Sequence, residues 1–437
     1  MRRCPTHESE PIVRHPEPHE LIPMPGTNEQ KPSSATQDIM SMEDEHQLYT
    51  YSKYPIAIEK GEGAFVYDID SNRYLDFYGG HAVALTGHCH PKVVHAIQNQ
   101  AATLIFYSNA VYNSTRAKAA EALVKLTPEG ITKVFFCNSG AEANETAIKA
   151  ARLHTGRTQI IAMKEGFHGR TYGSMSATGI DKYRIFPPLV PGIDFAEFGS
   201  LESIKALASQ ETAAIILEPI QSMAGVRVAA KEYFIALRNL CDELGILLIF
   251  DEVQTGMGRT GAPFYSTLIG VTPDIITSAK GIASGVPMGA CFLQEKIAAG
   301  IKPGQQGSTF GGGPLACAAA LATAELLQEQ RLPENAAAMG DYLMRKLVSM
   351  PHVKDVRGQG LLIGIEFGQD AKPLVKQLLK HQVLVSGSED PKTIRLLPPL
   401  VISQEHADIF LAALKSATDE VFGAKDTVKQ STAGDAQ

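Results

Sequence analysis

The sequence contains no tryptophan, only six cysteines in 437 residues, and no long apolar run. The cysteines are scattered and form no C-x-x-C pair, which is typical of reduced intracellular thiols and argues against a disulfide-based fold. The richest apolar runs, such as residues 246–250, are far too short to span a bilayer. We therefore expect neither a disulfide framework nor a membrane span.

The chain also has little excess of one sign of charge. The chain carries 40 Lys and Arg against 47 Asp and Glu, a net charge of -7. Phosphate affinity needs clustered basic side chains, so this balance argues against a nucleic-acid binder. The N-terminus begins Met1-Arg2-Arg3, but glutamates follow and no apolar core appears. We therefore expect neither a signal nor a transit peptide, and we take the cytoplasm as the location.

The composition allows two or three domains, since 44% of the residues are apolar. The two ends are polar and lack a periodic apolar pattern, which is typical of disorder. The expected organisation is a disordered extension over 1–40, an N-terminal segment over 41–80 that packs with the small domain, a large domain over 81–330, a small domain over 331–423 and a disordered tail over 424–437.

The middle of the chain alternates short apolar strands with longer helices. Residues 133–136, 160–163, 214–217 and 246–250 read as strands, and residues 141–154, 229–244 and 314–330 as helices. Apolar runs without alternation indicate strands covered on both faces, hence a mainly parallel sheet in an α/β domain. After about residue 332, helices over 333–350 and 404–422 and strands over 361–367 and 393–397 predict a smaller α+β domain.

Two segments with small residues could hold an anion. Asn138-Ser139-Gly140-Ala141 lies between a strand and a helix, where backbone N–H groups, a hydroxyl and the helix dipole favour negative charge. The glycine-rich loop 307–313 contains Ser308 and Thr309, which could donate hydroxyl and N–H groups to a phosphate. Taken singly, an ordinary capped turn and a flexible linker explain the two segments as well.

Two charged residues also follow apolar strands at the edge where open α/β sheets bind ligands. Asp251 follows residues 246–250, and a carboxylate there could keep a pyridine nitrogen protonated. Lys280 follows the strand-like run 274–277 among small residues, where desolvation lowers the pKa of an amine and makes it a nucleophile. Taken singly, Asp251 could be a helix cap and Lys280 a solvated lysine. Together, an anion-binding segment, an acid and an amine at one edge of the sheet favour a common site.

Several segments resemble the class III aminotransferases, above all the acetylornithine and ornithine aminotransferases. The resemblance runs in order from about Tyr49 to the last helix and is carried by FFCNSGAEANETAIKAAR, GFHGRTYGSMSATG, EPIQ, FDEVQTGMGRTG, PDIITSAKG, STFGGGPLACAAALA, VRGQGLLIGIEF and IRLLPPLVI. It implies fold type I, pyridoxal 5'-phosphate as the cofactor, bound by the large domain, and a homodimer with shared active sites. It also implies transfer of an ω-amine from N-acetylornithine or ornithine to 2-oxoglutarate by a ping-pong mechanism.

The resemblance assigns a role to each matching residue. Lys280 would form the Schiff base with the cofactor and move a proton, and Asp251 would pair with the ring nitrogen. Cofactor contacts would come from Ser139, Gly140, Ala141, Phe167, Val253, Gln254 and Ser308, with Thr309 contributed by the partner subunit. Substrate contacts would come from Arg170, Arg395, Tyr51 and Glu218, and arginine suits a carboxylate because its planar fork pairs bidentately.

The chain departs from the family pattern at Met223, where acetylornithine and ornithine enzymes carry a glutamate that screens the arginine at Arg395. Either the enzyme tolerates an unscreened arginine, or both substrates present a carboxylate to it, as in alanine–glyoxylate-type members. Gly313 replaces a usual asparagine, and His81 is either a substrate contact or a structural histidine.

Other interpretations are weaker. Residues 256–261 match G-x-G-x-x-G, as in a nicotinamide-dependent oxidoreductase, but no helix opens where that motif requires one. His88-Cys89-His90 cannot easily converge on one ion, so we expect no metal. An epimerase or decarboxylase that uses the same cofactor stays open, since one fold hosts several chemistries.

Overall fold

The computed structural model describes residues 32–423, so the predicted tail over 424–437 and most of the predicted extension over 1–40 lie outside the described residues. The prediction of disorder is wrong for the end of that extension, because Ser34–His46 form a helix. The Ser33 hydroxyl caps it by accepting a hydrogen bond from the Thr36 amide. The buried Thr36 hydroxyl in turn donates to Asp70 at 3.2 Å. The cap and this tertiary contact stabilise a helix at the end of the segment for which disorder was predicted.

The N-terminal region forms an antiparallel sheet of β1 (Ile58–Glu62), β2 (Phe65–Asp68) and β3 (Arg73–Asp76). The turn between β2 and β3 closes on Asp68, whose Oδ1 accepts from the amides of Asp70 and Asn72. The next helices are Gly79–Ala82, Pro91–Thr103 and Ser114–Val124.

The central sheet has seven strands, and the predicted mainly parallel α/β arrangement is confirmed. The region contains β4 (Ile131–Cys137), β5 (Gln159–Met163), β6 (Ile193–Ala196), β7 (Thr212–Leu217), the short hairpin β8 (Ile220–Gln221) and β9 (Arg227–Val228), β10 (Leu247–Asp251), β11 (Ile275–Ser278) and β12 (Gly289–Gln294). The sheet order is β4-β12-β11-β10-β7-β5-β6, and within it β12 alone is antiparallel to its neighbours. The carboxyl ends of β4, β10 and β11 therefore meet at one edge.

Helices cover both faces of this sheet. Their bounds are Gly140–Thr155, Tyr172–Ala177, Leu201–Leu207, Lys231–Leu244, Tyr265–Ile269, Glu295–Ala298 and Pro314–Glu329, with short 3-10 turns at Asp181–Tyr183 and Lys280–Ala283. Every residue of β7 and β10 is buried, which explains their apolar sequences without alternation. No helix within residues 32–423 has the length and hydropathy needed to cross a membrane.

The C-terminal region adds the helices Leu332–Leu347, Lys372–Lys380 and Gln404–Phe422. Its strands are β13 (Val353–Gln359), β14 (Leu362–Phe367), β15 (Val383–Leu384), β16 (Ser386–Gly387) and β17 (Thr393–Leu396), and the sheet order is β13-β14-β17-β16. β15 instead pairs in parallel with β3, with Leu75 opposite Val383, so the N-terminal sheet is completed by the C-terminal region. The domain boundaries at 80, 330 and 423 stay predictions.

Candidate active site

A cavity of about 330 Å³ opens at the carboxyl edge of the central sheet. The turn after β4, the ends of β10 and β11, and the segments 167–169 and 285–288 line it. Of the residues predicted for the site, this cavity brings together Ser139, Gly140, Ala141, Phe167, Glu218, Asp251, Val253, Gln254 and Lys280.

One end of the cavity is formed by the N-terminus of the helix Gly140–Thr155. The Ser139 hydroxyl caps this helix by accepting from the Glu142 amide at 3.2 Å. Among the described residues, the amides of Gly140 and Ala141 have no acceptor, and the helix dipole adds positive potential there. A Cβ at Gly140 would lie 2.9 Å from Val253 Cγ2, so glycine keeps this end open. The arrangement suits a bound anion.

Asp251 is a buried carboxylate held by an asparagine, a histidine and a backbone amide. Its Oδ2 accepts from Asn144 Nδ2 at 2.7 Å and lies 2.8 Å from His168 Nδ1, while its Oδ1 accepts from the Val253 amide at 3.1 Å. Asn144 is itself fixed by a hydrogen bond from Thr277. Within residues 32–423, neither Lys nor Arg forms an ion pair with Asp251, so its negative charge is available to a cationic ligand group.

Lys280 lies at the end of β11 in a left-handed backbone conformation, with φ +49°. Desolvation lowers the pKa of its amine to about 8, nearby Asp251 and Glu218 partly oppose that shift, and Arg395 adds to it. The next residue must be glycine, because a Cβ at Gly281 would lie 1.9 Å from Leu85 Cδ1. A larger share of this amine is therefore neutral and nucleophilic than for a solvated lysine.

Glu218 is a second buried acid in the cavity wall. Its Oε1 accepts from the Phe167 amide at 2.8 Å. Burial and the charge of Asp251 together raise its pKa to about 7, against the opposing effects of His168, the Phe167 amide and Lys280. The ring of Phe167 packs edge-on against Tyr183, with 5.4 Å between ring centroids.

Arg395, on β17, lies behind the cavity wall and is only 2% exposed. Its guanidinium donates to the Gly387 carbonyl at 2.8 Å, to Ser222 Oγ at 3.0 Å and to Ser386 Oγ at 2.9 Å. Ser222 Oγ donates to Gln254 Oε1 at 3.0 Å, which links the arginine to the cavity lining. No carboxylate oxygen of residues 32–423 forms an ion pair with this guanidinium.

The other predicted residues do not line the cavity of this chain. Arg170 is exposed and lies over the Tyr183 ring, 4.7 Å from its centroid. Tyr51 is 64% exposed, and Thr309 is also exposed. Ser308 Oγ accepts from Asn138 Nδ2 at 3.2 Å, which places it beside the anion end.

Four residues in and around the site were not predicted from the sequence, namely Asn144, His168, Ser222 and Tyr183. A signal existed for Asn144, which is a buried polar residue on a helix face otherwise made of Ala143, Ala147 and Ala151. His168 follows Phe167 directly, but nothing in the sequence indicates which ring atom meets Asp251. Ser222 and Tyr183 depend on tertiary packing, for which the sequence carries no local signal.

The alternative motifs are accounted for by packing. His81 lies outside the cavity lining, with a ring nitrogen against the Tyr78 hydroxyl. His88 Nε2 pairs with Asp76 Oδ2 at 2.7 Å, and within residues 32–423 no group of three His, Cys, Asp or Glu could hold a metal. The loop 256–261 packs against later helices, since a Cβ at Gly261 would meet Ala337 Cβ at 3.0 Å, and the dinucleotide interpretation is set aside.

The cavity fits pyridoxal 5'-phosphate on the chemistry of its donors. The free amides at the helix N-terminus suit a phosphate, the buried carboxylate of Asp251 suits a protonated ring nitrogen, and the amine of Lys280 suits an aldehyde. Phe167 and Val253 supply apolar surface for a flat ring.

Comparison with known proteins gives a consistent result. The Aminotransferase class-III family profile matches residues 48–418. The chain is 45% identical to an acetylornithine aminotransferase of Methanocaldococcus jannaschii, covering 88% of this chain and 97% of that protein. It is 44% identical to the Archaeoglobus fulgidus enzyme of the same name, covering 85% and 98%. An ornithine aminotransferase structure from Toxoplasma gondii superposes with a TM-score of 0.84 at 31% identity, covering 89% and 96%.

Proposed function

The chain belongs to the class III aminotransferase family, and from that premise we propose that it moves the ω-amino group of N-acetylornithine or ornithine to 2-oxoglutarate with pyridoxal 5'-phosphate as cofactor. N-acetylornithine as donor would give it a role in arginine biosynthesis. The observation that carries the reaction type is the presence, in one cavity, of the Lys280 amine with its lowered pKa and the Asp251 carboxylate, which has no Lys or Arg partner within residues 32–423. The names of the relatives support the donor.

When bound, the cofactor supplies an aldehyde that condenses with amines and a cationic ring that accepts an electron pair. Asp251 would hold the proton on the ring nitrogen, and Asn144 and His168 keep its carboxylate oriented. Ser139 Oγ and the amides of Gly140 and Ala141 would bind the phosphate. Phe167 and Val253 would cover the two ring faces, and Gln254 would lie near the ring hydroxyl.

Lys280 would serve both as the cofactor's covalent anchor and as the base. Its neutral amine would take the proton from the substrate carbon that bears the reacting amino group and deliver it to the cofactor within the same half-reaction, and it would carry a proton in the opposite direction in the second half-reaction. The carboxylates of the substrates would be bound by Arg395 and Arg170, with Tyr51 beside Arg170 and Glu218 in the cavity wall. The amino donor and the oxoacid would use the site in turn, which gives ping-pong kinetics.

Homodimer formation is part of the proposal. Large apolar side chains, including Ile105, Tyr107, Tyr112 and Phe310, are exposed on one chain, and Phe106 packs against Phe310 with 5.3 Å between centroids. An apolar surface of this kind marks an interface. Thr309 precedes Phe310 on it, which supports the view that Thr309 and Ser308 serve a site shared with a partner copy. The five cysteines within residues 32–423 are free, as expected for the cytoplasm.

A donor panel tests the proposal. Purified holoenzyme is assayed with N-acetylornithine, ornithine, glutamate and alanine against 2-oxoglutarate, pyruvate and glyoxylate. The ω-amine donors with 2-oxoglutarate should give the highest kcat/KM. Borohydride reduction of the holoenzyme, followed by peptide mapping, should place the cofactor on Lys280, and a label on another lysine, or none, would overturn the assignment.

One observation favours a second candidate. Because Met223 leaves Arg395 without an acid partner within 4.0 Å, an alanine–glyoxylate-type reaction, in which both substrates offer an α-carboxylate, is the alternative. In the same panel it predicts that alanine with glyoxylate exceeds every ω-amine pair.

A further inference from the structure

We propose that Glu389, in the loop between β16 and β17, is the reversible acid partner of Arg395 and determines whether donors react at an ω- or an α-amine. The inference rests on the proposed function. It assigns to Glu389 a positioning role that the neutral side chain of Met223 cannot fill.

The need for a reversible partner follows from the substrates. The reacting carbon of 2-oxoglutarate is bonded to a carboxylate, so this acceptor can use an unoccupied arginine beside the cofactor. N-acetylornithine reacts at the opposite end of the molecule from its carboxylate. An arginine that stays free would bind the wrong end of this donor and draw its δ-amine away from the cofactor. Efficient use of both substrates therefore requires that the charge of the arginine be masked in one half-reaction and free in the other.

Arg395 has the capacity to bind such a carboxylate. A guanidinium carries five N–H donors, and three of those on Arg395 are used by Gly387 O, Ser222 Oγ and Ser386 Oγ. One N–H on each terminal nitrogen is left without a partner among residues 32–423, so the guanidinium keeps two donors for a carboxylate. All three existing acceptors are neutral, so the buried charge is uncompensated at contact distance.

Glu389 is anchored directly beside this arginine. Its amide donates to the Met223 carbonyl at 2.8 Å, and Met223 follows Ser222, which binds the guanidinium. On the other side, Arg395 Nε binds the carbonyl of Gly387, two residues before Glu389. Burial lowers the pKa of Arg395, while Tyr78, Glu218 and Glu389 favour its charged form, so the carboxylate of Glu389 is within electrostatic reach.

The carboxylate of Glu389 is held only by partners that it can exchange. Oε1 accepts from the Tyr183 hydroxyl at 2.8 Å, and Oε2 lies 2.5 Å from Lys182 Nζ. Lys182 is 59% exposed, and an ion pair with an exposed lysine contributes little. The other nearby acid, Glu218, is buried and accepts from the Phe167 backbone amide, whereas the contacts of the Glu389 carboxylate within residues 32–423 are all with side chains.

Tyr183 connects this acid to the substrate side of the cavity. Its ring lies beneath the Arg170 guanidinium and edge-on to Phe167. The residue that holds Glu389 away from Arg395 therefore also touches the arginine proposed for the donor's carboxylate. Binding of a donor there would disturb the Tyr183–Glu389 contact and release the acid.

The test compares kcat/KM for N-acetylornithine with kcat/KM for L-glutamate in holoenzyme variants. Glu389→Gln should lower the ω-to-α ratio about tenfold, the loss expected for one charge-assisted pair. It should also lower the KM for 2-oxoglutarate severalfold, because Arg395 is then always free. Damage to the fold would instead raise that KM.

Two further variants keep the test decisive even if Glu389→Gln folds poorly. Tyr183→Phe removes the contact that holds the carboxylate away and should raise the ratio about two- to threefold. Adding Met223→Glu to Glu389→Gln should restore the ratio, because an acid returns beside Ser222. The matched control is Glu420→Gln, which breaks an exposed contact with His381 in the same C-terminal region and should leave the ratio unchanged.

The outcomes separate the two proposals. If the wild-type enzyme turns over neither N-acetylornithine nor ornithine, the proposed function fails and this inference with it. If wild type is active but Glu389→Gln and Tyr183→Phe both stay within twofold of its ratio and of its KM for 2-oxoglutarate, the proposed function stands and Glu389 has no role in donor choice.

Discussion

Each of the two edges of the central sheet carries a buried aspartate beside a cavity, but the two aspartates differ in whether basic side chains neutralise them. At the carboxyl edge, within residues 32–423, Asp251 contacts Asn144, His168 and the Val253 amide but neither Lys nor Arg, and Lys280 has no ion pair. At the amino edge, Asp274 precedes β11 and lines a second cavity of nearly the same size, about 320 Å³. There Arg238 and Lys296 lie 2.7 and 2.8 Å from its oxygens, and the Leu248 amide donates to it at 2.9 Å.

The two edges differ in whether the charge of the buried aspartate is balanced by basic side chains of the protein. Burial alone would raise the pKa of Asp274, but Arg238, Lys296 and the Leu248 amide outweigh it and the pKa is lowered. That acid is neutralised by the protein itself and stabilises the fold. The acid and amine of the carboxyl edge are buried without such compensation, which is the pattern expected where a ligand completes the charge balance. Cavity volume does not distinguish the two edges, whereas charge pairing does.

The strongest test replaces one lysine at each edge. Lys280→Ala should lower kcat/KM with N-acetylornithine about 10⁴-fold, because it removes both the nucleophile and the base. Lys296→Ala should change it less than twofold, because that amine pairs with Asp274 at the opposite edge of the sheet from the active-site cavity. Steady-state kinetics measure both. Comparable losses of kcat/KM in the two variants would contradict the assignment of catalysis to the carboxyl edge.

The next test exchanges the two acids for amides. Asp251→Asn should lower kcat about 10²- to 10³-fold with little change in thermal stability, because an amide cannot hold a ring nitrogen in its cationic form. Asp274→Asn should leave kcat within about twofold but destabilise the fold by about 2–3 kcal/mol, because Arg238 and Lys296 lose a buried partner. Melting curves and kinetics on the same preparations check this, and a stability loss confined to Asp251→Asn would contradict it.

A smaller effect follows from giving Arg395 the kind of partner that Arg238 has. Met223→Glu should shift turnover away from α-amino donors by about tenfold, since a carboxylate beside Ser222 masks the guanidinium. Met223→Gln is the control of similar size without charge and should have little effect. An unchanged ratio of α- to ω-donor turnover would show that position 223 does not govern donor choice.

The smallest effect is a pH dependence. The pKa of Lys280 is lowered to about 8, so its neutral share rises as the pH rises through 8, well below the 10.4 of an ordinary lysine. The rate at which apoenzyme captures pyridoxal 5'-phosphate should therefore increase about fivefold between pH 7 and pH 8 and level off above pH 9. Stopped-flow absorbance measures this rate, and a rate still rising above pH 10 would indicate a solvated amine.

The sequence was sufficient for the part of the site that follows strand ends. Asp251 and Lys280 each follow an apolar strand, and parallel strands bring their carboxyl ends to one edge, so the approach of these residues was predictable. Ser222, Tyr183 and Glu389 were not, because they meet Arg395 or Arg170 only through the packing of distant loops. Tyr51 and Thr309 lie outside the cavity of a single chain, and the helix Ser34–His46 depends on a contact with Asp70.

The pairing of β3 with β15 constrains how the chain is made. Leu75 is translated more than 300 residues before its partner Val383, and at 5–20 residues per second that separation corresponds to roughly 15–60 s of synthesis. Throughout this interval the edge of β3 is an open template for the wrong strand. The first sheet of the nascent chain can therefore be completed only after residues 383–384, near the end of the sequence, have left the ribosome.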